Sequence, residues 1–107
     1  MKMKFNNKEP LTHSEEEMIL SLLKVFCEME GVPFNKDLKY SRDFIGLILD
    51  LAKDDSTNVR GAGKFLKINE EIYNSPNYSP ETADYLFKTY CHIQREIMKK
   101  QYALSWK

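Results

Sequence analysis

The chain has 107 residues, within the range of one independently folding domain, and 42% of them are apolar, including eleven Leu, seven Ile, six Phe and five Met. That fills one helical core rather than two, and it excludes a disordered or fibrous chain. Sixteen basic and sixteen acidic residues cancel, so net charge draws the chain to neither nucleic acid nor an anionic membrane, and an electrostatic partner has to be met by a local patch.

Residues 1–11 are polar and rich in Lys and Asn, and are read as a flexible N-terminal tail or a short extended arm. They lack the apolar stretch of a signal peptide, and two cysteines, Cys27 and Cys91, are too few for the disulfide framework of a small secreted domain. The expected location is cytoplasmic. The strongest apolar run, Phe44 to Leu49, falls far short of the roughly 20 residues that span a bilayer, so no membrane association is expected.

Residues 12–107 are expected to form a single helical domain. Thr12-His-Ser-Glu15 is a capping box, in which hydroxyl and carboxylate satisfy each other's backbone donors, and Glu16 and Glu17 suit the positive end of a helix. Met18, Ile19, Leu22, Phe26 and Met29 then recur at helical spacing, with Leu23 and Val25 widening the stripe, until Gly31 and Pro33 stop it. The first helix covers about 13–30.

Ser41 is an N-cap candidate for a second helix, about 42–53. Phe44, Ile45, Leu47, Ile48, Leu49, Leu51 and Ala52 cover more than half its circumference, which predicts that it is the central, most buried helix. A third helix, about 57–74, has Ser56 or Thr57 as its cap and Val59, Ala62, Phe65, Leu66, Ile68, Ile72 and Tyr73 on one side. It is the weakest, because Gly61 and Gly63 together cost roughly 2 kcal/mol relative to Ala, and a start after Gly63 is the alternative. The proline-containing stretch 74–80 is a connection. Ser79 as N-cap, Pro80 at the first helical position and Glu81 in the first turn then open a fourth helix, about 80–103. The expected fold is all-α, a small bundle of four helices.

Catalytic and metal chemistry find little support. Val59-Arg-Gly-Ala-Gly-Lys64 resembles a phosphate loop only faintly, since the Walker pattern needs Ser or Thr after the lysine and a strand before the loop, and Phe65 follows here. Cys27, Cys91, His13 and His92 lack the paired spacing of a zinc site, and Cys91 and His92, adjacent on a helix, point about 100° apart. No cofactor, metal or catalytic residue is expected, and the chain is read as non-enzymatic.

Two basic stripes stand out. Lys88, His92, Arg95 and Lys99 recur at i, i+4, i+7 and i+11 along one face of the fourth helix, flanked by Tyr85 and Tyr102 and continued toward Trp106. Tyr, Trp and Arg are common interface anchors, so these seven residues are the candidate site for a protein partner. The leading expectation is a small helical interaction protein. Its few Ala and many Asn, Ile and Tyr are typical of AT-rich genomes, which suits an accessory or inhibitory factor of a phage or mobile element, and a homodimer is compatible with this reading. The alternative is a nucleic-acid-binding regulator, with Arg60, Lys64 and Lys67 on the second helix of a helix-turn-helix formed across a short Asp54–Thr57 turn. Asp54 and Asp55 beside the DNA backbone weigh against it.

Overall fold

The computed structural model describes residues 10–55 and 59–105, and all its regular structure is helical. The order is α1 (His13–Glu30), a single 3-10 helix (Lys36–Tyr40), α2 (Arg42–Asp55), α3 (Ala62–Tyr73) and α4 (Pro80–Ser105). The chain is an all-α bundle of four helices, as the periodicity predicts.

The ends of α1 follow from its caps. The Thr12 N–H donates to the Glu15 carboxylate at 2.9 Å, and the Glu15 N–H donates to the Thr12 hydroxyl at 3.2 Å, which closes the capping box. At the other end Gly31 takes φ +70°, a conformation that side chains with a Cβ resist, so that its N–H and that of Val32 reach the carbonyls of Glu28 and Cys27. Ser41 caps α2 by accepting from the Phe44 N–H at 3.3 Å, and Ser79 caps α4 by accepting from the Thr82 N–H at 3.3 Å. Of residues 1–11, only Pro10 and Leu11 are described, and Leu11 packs against the core.

Two expectations are corrected. The third helix begins at Ala62 rather than near 57, because Gly61 adopts φ +81° and breaks the helical path just before it. The proposed caps Ser56 and Thr57 lie outside the described residues. The central helix is α4, not α2. From Tyr85 to Cys91 every residue of α4 is buried, as is Ile93, which requires neighbours on all sides. Its polar residues Thr89 and Lys88 are buried with the rest, the former donating its hydroxyl to the Tyr85 carbonyl at 3.2 Å.

Phe44 of α2 joins the layers, its ring centroid 5.5 Å from Phe26 of α1 and 6.1 Å from Phe87 of α4. Tyr40 of the 3-10 helix approaches Phe87 at 6.5 Å. Outside the core, Arg42 fastens the start of α2 to the end of α3. Its guanidinium donates to the carbonyls of Tyr73 at 2.5 Å and Ser75 at 3.4 Å, and lies 5.1 and 4.4 Å from the ring centroids of Tyr73 and Tyr78.

Residues 98–102 are exposed all round, for more than one helical turn. The burial of α4 is therefore concentrated between Ala83 and Ile93, and its last turns lie on the surface. No helix among the described residues is long and apolar enough to cross a membrane.

Candidate functional site

The structure divides the predicted stripe on α4 in two. Tyr85 is 2% exposed and Lys88 8%, so neither belongs to an exposed face. The spacing that aligns Lys88 with Arg95 and Lys99 is helical and holds, but the helix passes through the centre of the molecule at residue 88 and has left it by residue 95. His92 marks the boundary, half-buried with its ring 5.6 Å from Phe65. Beyond it, Arg95 pairs with Glu15 of α1, Lys99 lies 3.3 Å from Glu96, and Tyr102 is 65% exposed. Trp106 lies outside the described residues.

Arg60, Lys64 and Lys67 are all exposed, but only the two lysines are on α3. Arg60 occupies the turn before it. The connection from residue 56 to residue 61 is longer than the three- or four-residue turn of a helix-turn-helix, because α3 starts late. The short Asp54–Thr57 turn is therefore replaced: α2 runs on through Asp55, whose carboxylate accepts from the Gln94 amide of α4 at 2.7 Å.

Among the described residues no three His, Cys, Asp or Glu side chains gather as metal ligands, and Cys27 and Cys91 are free thiols in the core. Burial, reinforced by the charge of Glu15, pushes the Cys91 thiol up to about 12, so it is protonated and poorly nucleophilic at neutral pH.

A different surface carries the apolar signal. Among the described residues six large hydrophobic residues are exposed, and four of them, Val25, Met29, Val32 and Phe34, fall in one stretch of ten residues at the end of α1 and just after it. Beside them lies an open cleft of about 870 Å³ between the end of α1 and the 3-10 helix. Phe26, Val32, Pro33, Phe34 and Leu38 give it an apolar lining, while Glu30, Asp37 and Asp43 against the one cation Lys36 make its polar lining acidic. Its wall is fixed by local geometry, since Gly31 turns the chain out of α1 and the Asn35 side chain accepts from the Asp37 N–H at 2.9 Å to start the 3-10 helix. Lys24 lies 5.8 Å from the centroid of the Phe34 ring.

Helical spacing alone places Val25 and Met29 in the apolar stripe of the first helix. The structure leaves them 53% and 74% exposed. The warning was the width of that stripe, since the fully buried positions of α1 are only Ile19, Leu23 and Cys27. A second signal was Val32-Pro33-Phe34, apolar residues placed after a helix stop where no periodic element could bury them.

No family model matches the chain, and no curated protein or solved structure matches it significantly.

Proposed function

We propose that this chain is a non-enzymatic interaction protein that receives an apolar, basic segment of a partner protein in the cleft between the end of α1 and the 3-10 helix. The observation that carries the reading is the exposure of Val32 and Phe34 in the lining of that cleft, with Val25 and Met29 exposed on the adjoining end of α1. Scattered exposed hydrophobics are ordinary on a protein surface, whereas exposed apolar residues lining a concave surface are what a docking site needs. The three carboxylates of the lining, set against one lysine, favour a partner segment that presents Lys or Arg around its apolar residues, such as an amphipathic helix laid in the groove. The compositional bias of the chain suits an accessory or inhibitory factor of a mobile element, for which capture of one host protein is sufficient activity.

Bait proteins compared in one host extract test the reading. Met29→Ser and Phe34→Ser leave the core untouched, so both variants melt within a few degrees of wild type; each should lose at least about tenfold of the affinity for the captured protein, the size of effect expected of interface anchors. Tyr102→Ser, on the far end of α4, should retain it. Equal capture by wild type and Phe34→Ser, or loss only with Tyr102→Ser, overturns the assignment.

A further inference from the structure

The two basic stripes, separated in sequence, meet in space at one point. Val59 and Arg60, in the turn that leads into α3, and Glu96, Lys99 and Lys100, on the last third of α4, line a solvent-open cleft of about 350 Å³. Three cations and one carboxylate leave a local excess of two positive charges. Glu96 is engaged with Lys99 at 3.3 Å across an exposed i, i+3 pair, an interaction weak enough to yield to a better-placed anion. Among the described residues no carboxylate forms an ion pair with Arg60.

We propose that this cleft binds a phosphoryl group. A phosphate carries about −1.5 to −2 charges at neutral pH, which matches the excess in the cleft. Arg60 offers the planar fork that engages two oxygens at once, and Lys99 and Lys100 add point charges from the opposite wall. The cleft takes one tetrahedral oxyanion with its water rather than a protein surface, which distinguishes it from the apolar cleft. The two clefts share no lining residue, the apolar one being built from α1, the 3-10 helix and the start of α2 and this one from the turn before α3 and the last third of α4. Lys64 and Lys67 are exposed on α3 but do not line the cleft. The ligand chemistry is that of a polyphosphate, free or as a nucleic-acid backbone.

Inorganic pyrophosphate, titrated into the full chain by calorimetry at low ionic strength, is the direct probe. Arg60→Ala and Lys99→Ala should each weaken binding about tenfold, as expected for loss of a charge-assisted contact. Glu96→Gln should strengthen it about threefold by removing the opposing charge, and Lys67→Ala should leave it unchanged. A short single-stranded oligonucleotide, followed by anisotropy, separates the two sources. Parallel loss in the Arg60 and Lys99 variants with a steep salt dependence assigns the site to a nucleic-acid backbone, and oligonucleotide binding that is absent or indifferent to these variants assigns it to free polyphosphate. Absence of pyrophosphate binding to wild type at low salt, or wild-type affinity in a folded Arg60→Ala, Lys99→Ala double variant, overturns the proposal.

Discussion

Cys91 and Tyr78 show how burial of single residues sets the response of the whole chain to pH. Burial pushes the Cys91 thiol from the ordinary 9.0 up to about 12, with Glu15 adding to the effect and Arg95 opposing it. It pushes the Tyr78 hydroxyl from 10.0 to about 12 as well, against the attraction of the Arg42 guanidinium. Below the ordinary values both groups are protonated in the folded and unfolded chain alike, and the full stability is present. Between the ordinary and raised values only the unfolded chain releases these protons, so the native state binds more protons and stability falls as pH rises. Denaturant titrations across this interval should show unfolding free energy decreasing from about pH 9 toward about pH 12, and Cys91→Ala with Tyr78→Phe should flatten the slope. A slope unchanged by the double substitution would show that these two groups do not control it.

At the scale of elements, α3 is the least secured. Gly61, at the N-cap, has no side chain to cap the helix and holds φ +81°, Gly63 lies in its first turn, and Asn69 is completely buried with neither end of its amide bonded to a described residue. An unsatisfied buried amide costs about 1–3 kcal/mol, so Asn69→Leu, similar in size and without polar atoms, should raise unfolding free energy by that amount and slow hydrogen exchange along α3. A loss of stability would mean that the Asn69 amide is satisfied in solution. The uneven legibility of the helices has the same origin. The starts of α1, α2 and α4 were readable because Thr12, Ser41 and Ser79 act on backbone donors a few residues away, and such local chemistry is written in adjacent positions. The start of α3 depends on the backbone conformation of Gly61, and glycine permits that conformation without announcing it. The 3-10 helix is five residues long and buries none of them, so it left no apolar period to read.

For the whole molecule, burial depends on which helix the others surround, and that is a property of packing rather than of any one helix's pattern. The apolar arc of α2 suggested a central helix, but the centre is occupied by α4, whose Tyr, Thr and Lys positions disguise it as a surface helix. Tyr85 and Lys88 were lost from the candidate site for this reason, while Arg60 and Lys99, separated by most of two helices in sequence, were brought to one cleft. The same packing leaves the end of α1 uncovered, and the apolar surface there is the basis of the proposed partner site. The most direct measurement places a photo-crosslinking residue at Phe34 in one version of the chain and at Met98 in another, and identifies the linked peptides from cells of the native host. The account predicts one heterologous protein linked at position 34, through a segment carrying Lys or Arg among apolar residues, and no such adduct at position 98. An adduct at 98 without one at 34, or a link at 34 only to a second copy of this chain, would contradict it.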